Sequence, residues 1–118
     1  MAFSIEWSEK ADKTYRDLET RARKSLENRK RSNKSKSSKV EGLFKQVKKC
    51  IKYLKENPKH PGLQTHEYDD IGNPYDSRKK VFEAYAQQNT PAAYRVFRCY
   101  GPNRGEITII DIDSHPED

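Results

Sequence analysis

From Ala11 onward the apolar residues of this chain change their period once, and that change limits what it can fold into. From Ala11 to Leu54 they recur at spacings of three and four, the period of amphipathic helices. After Pro61-Gly62 they fall into short runs between turn formers, the pattern of strands. A chain of 118 residues holds one core of two packed layers. Residues 1–118 therefore read as a single domain.

Within the helical part, Phe3-Ser4-Ile5-Glu6-Trp7 alternates and predicts a first strand. Ser8 offers an N-cap, with Glu9 and Asp12 where the helix dipole favours acids. Ala11, Tyr15, Leu18, Ala22 and Leu26 then stripe one helix over roughly 9–30. The stretch from Arg29 to Lys39 has six basic residues and no acidic or apolar ones, which predicts a flexible inter-helix segment. Ser38 and Glu41 have capping-box spacing. Val40, Leu43, Phe44, Val47, Ile51 and Leu54 stripe a second helix, which Asn57-Pro58 ends.

Four strands are expected beyond it. Leu63 to Tyr68 predicts a short one, and Asp69 to Lys79 a loop rich in turn formers. Val81 to Ala86, Ala93 to Tyr100 and Glu106 to Asp113 predict an antiparallel meander joined by short turns. The expected fold is α+β: a helical hairpin on a small curved antiparallel sheet, in the order β-α-α-β-β-β-β.

Charge is unevenly distributed. Residues 1–60 carry 18 Lys and Arg against 8 Asp and Glu, whereas residues 61–118 carry 6 against 10. The basic half suggests a polyanionic partner or simply a charged helical surface. No window approaches the ~18 apolar residues of a membrane span, and the opening MAFSIEWSEK lacks the basic start and apolar run of a signal peptide. With only Cys50 and Cys99, neither a disulfide scaffold nor a zinc site of three or four thiolates is available, so a reduced, cytoplasmic protein without a membrane partner is expected. His60 and His66, even with either cysteine added, match no common zinc spacing. No metal or other cofactor is expected.

Several segments together resemble the RelE/ParE superfamily of toxins from toxin–antitoxin pairs. They are FSIEWSEKADKTYRDL, the helix end YLKENPKHPGL, the strand Ala93-Tyr94-Arg95-Val96-Phe97-Arg98, and Ile107-Thr108-Ile109-Ile110-Asp111-Ile112 followed by His115. HPGLQTH and KVFEAYAQQNTPAAYRVFRCYGP look like a RelE-like subgroup, and the resemblance covers nearly the whole chain. The basic stretch between the helices departs from relatives that join them tightly.

The resemblance implies a cognate antitoxin and one of two activities. RelE-like members cleave mRNA, many on the ribosome, without a metal; ParE-like members inhibit DNA gyrase. A non-catalytic nucleic-acid-binding protein of the same fold is a further alternative.

Metal-free RNA cleavage needs a base for the 2′-hydroxyl, positive charge on the phosphorane-like transition state and an acid for the leaving 5′-oxygen. The resemblance points to Arg95 for the phosphate and to His115 for acid or base work. Read from the residues alone, Arg95 equally fits an ion pair with Glu83 or Asp111, and His115 a solvated tail histidine. Glu83 is a candidate base or the partner that orients Arg95. Tyr85 is a weaker catalytic candidate, and Tyr94 faces away from Arg95 by strand alternation. His66 is either a second active-site histidine that contacts RNA or a turn residue. Arg98, Lys45, Lys48, Lys49, Lys52, Arg29 and Arg31 complete the expected RNA-binding set. Cys50 and Cys99 read as core filler.

Overall fold

The structure, a computed structural model, describes residues 2–88 and 90–114. Its elements are β1 (Ser4–Trp7), α1 (Glu9–Arg31), α2 (Lys39–Glu56), a single 3-10 turn (Pro61–Leu63), β2 (His66–Glu67), β3 (Phe82–Tyr85), β4 (Tyr94–Tyr100) and β5 (Glu106–Ser114). One five-stranded sheet runs in the order β1-β5-β4-β3-β2, with the helical hairpin packed on one face. This is the expected α+β fold.

The two helical stripes meet the sheet as their spacing requires. Ala11 and Leu18 of α1 and Val47, Cys50 and Leu54 of α2 are buried against Ala84, Val96, Ile107, Ile109 and Ile112. Trp7, Tyr15 and Phe44 extend this core with tilted ring contacts, at centroid distances of 4.9 Å and 5.3 Å. The Ser8 hydroxyl accepts from the backbone N–H of Ala11 and donates to the carbonyl of Ile110 at 2.7 Å. That carbonyl belongs to a β-bulge: Phe97 pairs with Asp111 and Arg98 with Ile109, which leaves Ile110 without a partner. The helix cap thus satisfies a group that the bulge removes from the ladder.

The sheet is mixed rather than wholly antiparallel. β3, β4 and β5 form the expected antiparallel meander, but β1 pairs with β5 in parallel. β1 reaches β5 through both helices and three strands, so no tight turn dictates an antiparallel orientation. The strand expected over Leu63–Tyr68 shrinks to His66–Glu67. Pro61 opens the 3-10 turn, His60 Nδ1 accepts from the Gly62 N–H at 2.9 Å, and Gln64 lies in the left-handed region at φ 47°. The turn drives Leu63 into the core, where it is 1% exposed.

The basic segment is more ordered than its composition suggests. α1 continues through Arg31, so Arg29 and Lys30 are helical. Ser38 caps α2 in the expected box with Glu41. The Ser25 hydroxyl donates to Glu41 Oε2 at 2.9 Å, and Arg29 Nη2 pairs with Glu41 Oε1 at 2.8 Å. These contacts tie the two helices across the link, and Arg29 chiefly holds Glu41 well below the usual carboxylate range, at about 2. No helix among the described residues is long and apolar enough to cross a membrane.

Candidate active site

The register of β3 on β4 sets the site. Glu83 pairs with Phe97 and Tyr85 with Arg95, so these four side chains share one sheet face. Ala84 and Val96, between them, point into the helical core. β2 brings His66 directly opposite Glu83.

A carboxylate held on both oxygens is the centre of this cluster. Arg95 Nη1 donates to Glu83 Oε2 at 2.8 Å, and His66 Nε2 contacts Glu83 Oε1. Glu83 and Arg95 are each 5% exposed, whereas the His66 side chain is 54% exposed. The second ring nitrogen of His66 lies 3.1 Å from the carbonyl of Gln64. Both ring nitrogens therefore face oxygen atoms, which fixes the ring plane and aims one edge at Glu83.

Arg95 is enclosed by rings. Its guanidinium carbon lies 4.7 Å from the centroid of Phe97 and 5.4 Å from that of Tyr68, a cation–π arrangement. Its Nη2 donates to the carbonyl of Ser114 at 3.4 Å, and among the described residues its Nε has no partner. The sequence reading did not select Tyr68 or Phe97. Two-residue alternation from His66 to Tyr68 was the available signal for the first, and pairing with Glu83 places the second.

Tyr85 stands at the edge of the cluster, its ring 5.8 Å from that of His66. Burial, and then the neighbouring Glu83 charge, push its phenol above the ordinary value, so it stays protonated and can donate a hydrogen bond at neutral pH. Gln46, Lys49, Tyr53 and Tyr85 line a groove of about 320 Å³ at the sheet margin. Lys49 Nζ lies 5.6 Å from the Tyr53 ring centroid in this groove. Lys45, Lys48 and Lys52 are exposed on α2, which covers the opposite face.

The remaining expected residues are dispersed. Arg29 is engaged by Glu41, and Arg31 is exposed at the end of α1. Arg98 lies apart from this cluster: it is 1% exposed and donates to the carbonyl of Pro58 at 3.1 Å. Its position one residue beyond Phe97 turns it away from Arg95. Tyr94 likewise packs against the helical core. Asp111 pairs with Lys10 rather than with Arg95. His115 lies outside the described residues.

His60 stacks on Tyr53 at 4.3 Å and caps the 3-10 turn, a structural role. Among the described residues no group of three or more His, Cys, Asp or Glu side chains is arranged to hold a metal. Cys50 and Cys99 are both buried, and burial pushes the Cys50 thiol up to about 12, well out of the nucleophilic range.

Neither a family model nor a curated protein matches the sequence. Solved structures do match the fold over its whole length. A YoeB dimer from Staphylococcus aureus aligns with a TM-score of 0.58 at 11% identity, covering 98% of this chain and 100% of the other. The archaeal RelE–RelB complex from Pyrococcus horikoshii OT3 gives 0.56 at 11% identity, covering 97% and 96%. A YoeB/ParE toxin from Agrobacterium tumefaciens gives 0.56 at 10% identity, covering 96% and 99%.

Proposed function

We propose that this chain, which has the fold of the RelE, YoeB and ParE toxins, is the toxin of a toxin–antitoxin pair and acts as a metal-independent endoribonuclease on mRNA. The observation that carries the reading is the contact of the exposed His66 with Glu83, whose other oxygen is held by buried Arg95. A buried carboxylate fixed by an arginine orients an imidazole that solvent and substrate can reach. That is the arrangement of a general base backed by an anion.

In this reading Glu83 backs His66 at Nε2, and Nδ1 takes the 2′-hydroxyl proton once it leaves the Gln64 carbonyl. The 2′-oxygen then attacks phosphorus, and the bond to the 5′-oxygen breaks. His115, which the resemblance points to for acid or base work, serves here as the general acid, and the protonated Tyr85 is the second donor to the leaving oxygen. Arg95 contributes positive charge behind the carboxylate and meets the phosphate when Ser114 releases Nη2. The product is a 2′,3′-cyclic phosphate with a free 5′-hydroxyl, and no co-reactant is consumed. Lys49 at the sheet margin, and Lys45, Lys48, Lys52 and Arg31 on the hairpin, supply salt-sensitive attraction to mRNA or ribosomal RNA.

The antitoxin partner is supported by the structural neighbour solved as a RelE–RelB complex. A cytoplasmic site of action follows from an mRNA or ribosome target.

The test is primer extension on a translated mRNA after brief induction, comparing the wild type with His66→Ala and Glu83→Gln. Cuts that require both side chains are expected. Arrested growth without cuts would replace this reading with gyrase inhibition. Normal growth without cuts, from folded protein, would leave a binding protein of the same fold.

A further inference from the structure

Arg98 is a buried cation without a counter-charge. It is 1% exposed, and among the described residues it takes part in no ion pair. Its Nη2 donates to the carbonyl of Pro58 and, at 3.4 Å, to Thr65 Oγ1, while Nε and Nη1 have no partner among the described residues. The rings of Phe82 and Tyr100 lie 5.1 Å and 5.4 Å from its guanidinium carbon and compensate only part of the lost hydration. A guanidinium stays ionised in proteins, so the cost of burying it falls on the structure.

Beside Arg98 lies a groove of about 400 Å³. Lys59, Gln64 and Thr65 bring an ammonium, an amide and a hydroxyl to its lining, and Phe82 and Tyr100 bring rings. Tyr100 is 40% exposed, one of two large hydrophobic side chains that are exposed among the described residues. The groove is on the helical side of the sheet, across from the Glu83–Arg95 pair, and belongs to a different set of residues.

We propose that this groove is a second, separate nucleotide-binding site, in which a phosphate group is held by Arg98, Lys59 and Thr65 while a base stacks on Tyr100. The volume exceeds what a lone carboxylate fills. Charged donors beside an exposed ring suit a ligand that joins an oxyanion to a flat base. That ligand is either a free mononucleotide or one residue of an RNA strand. Thr65 lines this groove, and its neighbour His66 touches Glu83, so a strand crossing β2 reaches both sites.

The test follows the arginine Nε–H and backbone amide signals of the purified chain by NMR at constant ionic strength. The probes are adenosine 5′-monophosphate, the dinucleoside monophosphate ApA, adenosine and an acidic peptide. The expected result is saturable shifts at Arg98, Lys59, Gln64 and Thr65 with a phosphate-bearing probe and none with adenosine. Tighter binding of ApA identifies a strand phosphate, and tighter binding of the monophosphate a free nucleotide. Lys59→Glu, at an exposed position, and Thr65→Val, which also takes one acceptor from Arg98, should each weaken binding about tenfold, the effect of losing one charge-assisted hydrogen bond. Arg98→Gln should abolish it if that variant folds. Shifts confined to the Arg95 cluster, binding insensitive to Lys59→Glu and Thr65→Val, or a response only to the acidic peptide would overturn the proposal. Because binding is read directly, the result is independent of whether RNA is cut.

Discussion

Arg95 and Glu83 form an ion pair of 2.8 Å in which each side chain is only 6% exposed. Burial makes the pair asymmetric with respect to mutation. Removing one partner leaves the other charge stranded, at a cost of about 3–5 kcal/mol, whereas removing both together costs far less. Arg95→Ala should therefore lower the denaturation midpoint strongly, and Arg95→Met combined with Glu83→Leu should recover most of the loss. Urea unfolding of the two single variants and the double variant checks this. Equal, additive losses would mean that the pair does not couple.

His66 gives the cleaner functional probe. Its side chain is 54% exposed and touches Glu83 at one edge. His66→Gln should change stability by less than about 1 kcal/mol, the range of surface substitutions and exposed pairs. RNA cleavage should fall by about a hundredfold or more, the usual contribution of a general base. A variant that retains its unfolding midpoint and also its full cleavage rate would remove His66 from the mechanism.

Glu41 predicts an acid response at the hairpin tip. Its folded value of about 2 lies below its ordinary 4.5, chiefly because Arg29 donates to it. A depressed carboxyl binds fewer protons folded than unfolded, so its contribution is complete above the ordinary value. The contribution is lost as pH falls from about 4.5 towards 2. Urea unfolding of the wild type and of Glu41→Gln should differ by a constant amount above pH ~5 and converge near pH ~2. A difference that persists at the acid end would assign the stabilisation to packing instead.

Two glycines should respond in opposite directions. Gly42 lies in α2 with open space where a Cβ would stand, so Gly42→Ala should stabilise by about 0.5–1 kcal/mol. Gly105 has φ 81°, in the left-handed region, and Gly105→Ala should destabilise by about 1 kcal/mol despite equally open space. Thermal unfolding of both variants distinguishes conformational strain from crowding.

Much of this fold was legible because local and global signals agree. The α1 and α2 stripes, the Ser38–Glu41 box and the three strands of the meander each need only neighbouring residues to be read. The parallel pairing of β1 with β5 was not legible, since nothing near Ser4–Trp7 encodes a partner a hundred residues away. The site divides in the same way. Alternation in β3 and β4 put Glu83 and Arg95 on comparable positions, but whether they touch depended on strand register. His66 read ambiguously because its importance comes from β2 pairing across a long loop. Arg98 read as a surface cation because sequence shows its charge and not the core around it. The basic link read as flexible because composition does not reveal that Glu41 draws in Arg29 and Ser25.

The position of β5 also governs when the sheet can close. Among the described strands β5 is made last, yet it lies inside the sheet between β1 and β4. Until Glu106–Ser114 has emerged, β1 has no partner, and the apolar faces of α1 and α2 lack Ile107, Ile109 and Ile112 to cover them. The contacts that close the structure span nearly the full chain, which delays folding relative to the local formation of the helices. A nascent chain thus carries the Glu83 and Arg95 side chains well before it has the finished sheet that holds them in register. Assembly of the sheet therefore waits on the synthesis of β5.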